Sequence, residues 1–296
     1  MSEYIEAFIE YIRIERNYSD YTETNYLIDL EQFEEYLKRK RISYKNIKYK
    51  EITIYVKYLK EEKNLKPTSI NRHLSSLRSF YNYLLKENII ESNPFKLMNG
   101  PKKEKKLPNY MKYSEFETLI NSCDETPLGI RNKALIELLL ATGARISEII
   151  NIEVNDIDFS NREIKVLGKG NKERICYFNS YSESALKEYL EESRPILLNN
   201  KKSDRLFINH IGGELTDRGV RTILDNLIKK ACLNNKITPH TFRHTFATML
   251  LNEGCDLKSV QELLGHVNLS TTSIYTHITN DRIKDIYLHS HPRSKK

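Results

Sequence analysis

Between Pro94 and Pro108 the chain lacks an apolar period and carries Gly100-Pro-Lys-Lys-Glu-Lys-Lys106. Such a stretch reads as an exposed interdomain linker. The 296 residues suffice for two domains, each with a core of its own. We therefore expect a first domain over residues 1–96, an exposed basic linker over 97–109, and a second domain over 110–296.

The first domain reads as helical. Leu27, Leu30, Phe33 and Leu37 recur at helical spacing, as do Ile70, Leu74, Leu77, Phe80 and Leu84, and Pro67-Thr68 suits the opening of the later helix. On that helix Asn71, Arg72, Ser75 and Arg78 fall at spacings that place several on one outer face. Both a solvated face and a helix laid in a nucleic-acid groove fit this pattern. The pattern alone does not choose between them. The chain carries 47 Lys and Arg against 40 Asp and Glu, with a pI near 9.0. Residues 1–106 hold 21 of those bases and 16 of the acids, which favours a polyanionic partner.

Other classes are disfavoured. No apolar run approaches the ~20 residues of a membrane span, and Met-Ser-Glu-Tyr-Ile-Glu lacks the basic start of a signal peptide. Cys123, Cys176, Cys232 and Cys255 are scattered and form no Cys-x-x-Cys site, as expected for reduced thiols of a cytoplasmic protein.

In the second domain Tyr113 to Leu140 reads as helices, with Gly143 suited to end the apolar run Ala134–Leu140 and re-aim Arg145. Ile152 to Phe178 alternates apolar and polar residues around the turn Gly168-Lys-Gly-Asn171, which predicts a small antiparallel sheet. Helices dominate from Glu183 to Ser290. The expected fold is mainly α with a small antiparallel β-sheet in the second domain.

The chemistry concentrates late in the chain. Thr238-Pro-His-Thr-Phe-Arg-His244 predicts a helix from Pro239 to about Asn252, with His240 and Arg243 on one face near its N-terminus, where anions are favoured. Leu264-Gly-His266 follows, then Tyr275, and a second arginine stands earlier in Ala141-Thr-Gly-Ala-Arg145-Ile-Ser-Glu148. Arginine stays charged and forks two donors onto phosphate oxygens, so a pair can neutralise a pentacoordinate phosphorane without a metal. A tyrosine with a reference pKa of about 10 lies roughly 4 kcal/mol from its ionised form near pH 7. Cations and an imidazole offset much of that. Transfer of DNA to the phenol would conserve the phosphodiester, and a DNA hydroxyl could then displace the tyrosine without ATP.

In this ordered set the chain resembles the tyrosine recombinases, or lambda-integrase family, and most closely the Xer site-specific recombinases. The resemblance covers nearly the whole chain and implies a two-domain DNA clamp with a SAM-like core-binding domain over 1–96. It implies the catalytic set Arg145, Lys169 (in Val166-Leu-Gly-Lys169-Gly-Asn-Lys-Glu-Arg174), His240, Arg243, His266 and Tyr275, with Glu148 as the acidic neighbour of Arg145. Asn71, Arg72, Ser75, Arg78, Lys172 and Arg174 are candidate DNA contacts. No cofactor and no metal is implied. The implied partners are a double-stranded recombination site, a second Xer-type recombinase in a tetramer on two sites, and a DNA translocase. The ending Tyr287-Leu-His-Ser-His-Pro-Arg293 is similar to the Xer C-terminus, and the tail from about Asp281 is expected to dock into a neighbour.

Blander readings exist for single residues. His240 and His244 are four apart, as in a zinc pair, but Thr241 stands where a metalloprotease has its glutamate, and His244 is expected in the core or behind the site. Asp156 and Asp158 read as solvated turn residues. At the level of function the alternatives are an integrase or transposase of a mobile element, a type IB topoisomerase, and a DNA-binding protein without catalysis.

Overall fold

The structure is a computed structural model that describes residues 2–16, 20–102, 110–168, 172–234, 237–265 and 276–294, without the side chains of 20, 21 and 276–281. The chain divides into two compact units, residues 1–106 and 107–296.

The first unit holds α1 (Glu3–Ile14), α2 (Asp20–Lys40), α3 (Tyr49–Glu61) and α4 (Pro67–Lys86). Pro67 sits in the first turn of α4, where its missing N–H costs nothing. Leu30, Phe33 and Leu37 of α2 and Ile70, Leu74, Leu77, Phe80 and Leu84 of α4 are all buried, with Leu27 at the margin. Aromatic rings knit the helices edge to face, Phe33 against Tyr55 at 5.0 Å and Phe8 against Phe80 at 5.4 Å.

Of the four polar residues expected on the outer face of α4, Ser75 is exposed and the others are half-buried. Arg72 Nη1 donates to Asp29 Oδ2 at 2.7 Å, on a fully buried carboxylate that also accepts from Ser76 Oγ at 2.7 Å. Arg78 donates to the carbonyls of Phe95 and Met98, and Asn71 to that of Pro101. A buried carboxylate and a set of backbone acceptors take up these donors, because unpaired polar groups beside a core are costly. Residues 95–101 are thereby fastened to α4, with Phe95 and Met98 in the core, so the first unit continues past residue 96. Residues 103–109 of the expected linker lie outside the described residues.

The second unit contains α5 (Tyr113–Asn121), α6 (Pro127–Thr142), α7 (Ile146–Ile150), β1 (Ile157–Asp158), β2 (Glu163–Leu167), β3 (Glu173–Tyr177), α8 (Ser180–Glu188), α9 (Arg194–Leu198), α10 (Asp217–Lys230), α11 (Pro239–Asn252), α12 (Leu257–Leu263) and α13 (Thr276–Ser290). The fold is mainly helical, as the sequence predicts, with one three-stranded antiparallel sheet in the order β1-β2-β3. Helix α6 is buried along most of its length and forms the centre of the core; it begins at Pro127, earlier than the apolar run at Ala134 suggests, because Thr126 caps it through the Gly129 N–H. Asp156 and Asp158 cap turns through the backbone N–H groups of Glu153 and Asn161. No described helix is long and apolar enough to cross a membrane.

The described part of the C-terminal tail packs on its own chain. Tyr287 and His291 are fully buried and stack with Phe246 of α11. Arg293 forks both nitrogens onto Glu137 of α6 at 2.5 and 2.9 Å and lies over the Tyr181 ring at 4.1 Å. Burial pushes the Glu137 carboxyl up against the opposing pull of Arg293. Burial, with Arg293 adding to it, brings His291 down to about 4, so its ring is neutral.

Candidate active site

Gly143 ends α6 in the left-handed region, at φ +56, and turns the chain so that Arg145 becomes the N-cap of α7. Glu148, three residues on and 2% exposed, reaches back to accept the Arg145 backbone N–H at 2.8 Å and its Nη1 at 2.8 Å. Arg174 arrives from β3 and donates Nη2 to the other oxygen of Glu148, also at 2.8 Å. Burial alone would lift the pKa of Glu148; the charge of Arg174 and the donors of Arg145 outweigh it and hold the group ionised.

Helix α11 spans Pro239–Asn252, as the Thr-Pro opening predicts, and Thr241 Oγ1 accepts the Thr238 N–H at 3.0 Å in the manner of a capping box. Its buried Phe242 and Phe246 fix the helix against α6, leaving Arg243 half-buried with Nη1 on the Gly143 carbonyl at 2.9 Å and Nη2 on the Leu264 carbonyl at 2.6 Å. Burial and then the charges of Arg145 and Arg174 bring Arg243 down to about 10, still protonated at neutral pH. His240, in the first turn of the same helix, is exposed. His244 is also exposed, contrary to the expectation that it would be buried: α11 turns Phe242, Thr245 and Phe246 inward, and residue 244 falls on the opposite side.

The structure thus brings together Arg145, Arg243 and Arg174 around the single carboxylate of Glu148. Three guanidiniums against one carboxylate leave two positive charges in one half-buried cluster, an arrangement that attracts an anion with several acceptor oxygens. Lys169, His266 and Tyr275 lie outside the described residues. Lys172 is exposed on the hairpin. Arg174, read from sequence as a DNA contact, has a side chain only 16% exposed. Its signal was available in the strand register: Arg174 pairs with Val166 and Cys176 with Ile164, and both partners are buried, so residue 174 shares the core face. Among the described residues no group of three or more His, Cys, Asp or Glu is placed to hold a metal ion.

Gly143 serves the cluster in two ways. Its φ favours glycine, and a Cβ there would stand 2.6 Å from Phe246 Cδ1. Gly143→Ala is expected to lower stability by about 2–4 kcal/mol, from left-handed strain and overpacking together. The midpoint and slope of urea unfolding check this; an unchanged midpoint would show that the turn relaxes freely.

A mainly helical two-unit chain thus carries an arginine cluster gathered from a helix stop, a hairpin strand and a His-x-x-Arg helix, an arrangement suited to a phosphate group. Residues 109–282 match the phage integrase family, and residues 5–88 match the phage integrase N-terminal SAM-like domain. The chain is 48% identical over 294 residues to tyrosine recombinase XerC of Anoxybacillus flavithermus, covering 98% of each chain. It is 45% identical over 297 residues to tyrosine recombinase XerC of Bacillus subtilis, covering 99% of this chain and 97% of the relative. Among solved structures it is similar to the XerH site-specific recombinase bound to a palindromic difH substrate in a post-cleavage complex, with a TM-score of 0.70, 27% identity, and coverage of 96% of this chain and 84% of that one. The chain belongs to the phage integrase family and is a tyrosine-type site-specific DNA recombinase of the Xer kind.

Proposed function

We propose that this recombinase resolves chromosome dimers before cell division, acting in the cytoplasm on a short duplex site, in a tetramer with a second Xer-type recombinase and under the control of a DNA translocase. The observation that carries the catalytic part is the cluster of Arg145 and Arg174 on Glu148, with Arg243 beside them on the Gly143 and Leu264 carbonyls and His240 at the start of the helix that holds Arg243. Near full-length identity to XerC proteins supports the choice of pathway.

In this reading Tyr275 Oη attacks the scissile phosphorus as His240 takes its proton, and the bond from phosphorus to the 5′ oxygen breaks as Lys169 protonates that oxygen. Arg145, Arg243 and His266 hold the nonbridging oxygens. Donors fixed before the reaction stabilise the phosphorane most, each contributing roughly 3–4 kcal/mol. The 3′-phosphotyrosyl ester keeps the phosphodiester's energy, and a 5′-hydroxyl from the partner duplex displaces the tyrosine. Two such rounds pass through a Holliday junction.

The test is trapping on a nicked suicide duplex carrying a dimer-resolution-type site. A 3′-linked covalent protein–DNA band, formed with or without the second recombinase, is the expected result. Tight site binding with no band under either condition would sink the catalytic reading. Cleavage confined to a mobile-element end would move the protein to another pathway with the same chemistry.

A further inference from the structure

Arg174 belongs to β3 but joins two other elements. Its Nη2 meets Glu148 Oε2 at the start of α7, and its Nη1 donates to the Leu263 carbonyl at 2.9 Å, at the end of α12. Gly265 leaves room for it, since a Cβ at that position would stand 2.7 Å from Arg174 Cδ. The Leu264 carbonyl, next in line, is taken by Arg243. Two arginines from different elements therefore satisfy the last carbonyls of α12, the segment that leads into His266.

The carboxylate of Glu148 is divided. Arg145 Nη1 takes Oε1, while Arg174 Nη2 takes Oε2 beside the Arg145 backbone N–H. We infer that Arg174 is a positioning residue for strand cleavage: by occupying Oε2 it confines the Arg145 guanidinium to Oε1 and leaves the remaining donors of Arg145 for the scissile phosphate. This rests on the proposed role of Arg145 as a phosphate ligand. Without Arg174, a carboxylate that is 2% exposed keeps Arg145 as its one remaining ion-pair partner among the described residues. Guanidinium and carboxylate then favour the two-pronged contact, which draws Arg145 onto both oxygens and away from the DNA.

The experiment compares Arg174→Met with wild type on the nicked dimer-resolution-type duplex and on the two stereoisomers of the same duplex with a methylphosphonate at the scissile position. Both isomers are neutral, but each replaces a different nonbridging oxygen with methyl, so each reports on the donor that faces that oxygen. At protein concentrations that saturate the site, Arg174→Met should cleave the phosphate about 10- to 100-fold more slowly, the scale on which loss of a residue that orients a reactive one registers. The isomer that rescues Arg145→Ala should erase most of that deficit, and the other isomer should not. Arg174→Lys keeps the charge but cannot reach Glu148 and Leu263 together, and should show the same isomer preference at smaller amplitude, which serves if the methionine variant folds poorly. A deficit that is equal on all three substrates would mean a structural role only, and relief by both isomers alike would mean bulk charge; either overturns the inference. If Arg145→Ala is itself unimpaired, or is rescued by neither isomer, the phosphate-ligand reading fails first and the inference falls with it, a result visible in that arm alone.

Discussion

Tyr275→Phe should abolish the covalent protein–DNA adduct, by at least about four orders of magnitude in cleavage rate, the scale on which loss of an attacking nucleophile registers. The phenyl ring keeps the size of the side chain and removes the one atom that the proposed mechanism bonds to phosphorus. Site binding should survive, because the arginine cluster and the first unit are untouched. The comparison uses the nicked suicide duplex on a denaturing gel with a gel shift beside it. A persisting band would transfer the nucleophile to another of the nineteen tyrosines. The described tyrosines with clear shifts make poor substitutes: burial pushes Tyr55, Tyr81 and Tyr287 well above the ordinary phenol range, the wrong direction for attack at neutral pH.

The second large effect concerns the fold. Arg293→Ala strands Glu137 in the core, where only 4% of its side chain meets solvent, and should lower stability by about 3–5 kcal/mol at neutral pH, the usual cost of removing one partner of a buried pair. The sign of the pH dependence follows from the raised folded pKa of Glu137. A carboxyl raised in the fold favours folding when protonated, and that contribution is lost as the pH rises through the folded value. Removing Arg293 takes away the pull that opposed burial and raises the group further. The stability difference between variant and wild type should therefore shrink as the pH is lowered from about 8 to about 5.5. His291, lowered to about 4 in part by Arg293, opposes acid less in the variant than in the wild type, which narrows the difference in the same direction. Adding Glu137→Gln should recover part of the loss at the higher pH. Urea unfolding at each pH checks this, and a pH-independent difference would mean that packing on Tyr181 and Phe116 matters more than charge.

That result bears on the tail. Deleting residues from about 281 onward removes Tyr287 and His291 from the core and leaves Glu137 without Arg293. A truncated protein would fail to assemble for reasons of folding as well as docking, so point variants on the exposed side of α13 are the cleaner probe of a neighbour's role.

How much was legible in the sequence follows from what each signal is made of. Local signals worked: Thr238-Pro239 placed the start of α11, Gly143 placed the end of α6, and alternation around Gly168 placed the hairpin. Each depends on backbone constraints within a few residues. What the sequence did not announce depended on long-range partners. Nothing near Arg72 or Arg78 announces that Asp29, 43 residues away, or the carbonyls of Phe95 and Met98 will take up their donors. Arg174 was assigned by charge to DNA, although the strand register already turned it inward. His244 was placed inside by its proximity to the motif, whereas the helical angle from Phe242 places it outside.

One feature limits how the protein can change over generations. Gly143 is held by backbone handedness, by the approach of Phe246, and by the Arg243 guanidinium that rests on its carbonyl. A side chain at 143 that tolerates the turn still meets the ring at 246, and a smaller residue at 246 opens a gap beside Tyr287. Neither position has an easy single step away from its present residue. Positions 143, 246 and 287 therefore form a unit that drifts together or stays put, and a lineage that altered one of them would carry its history in the other two.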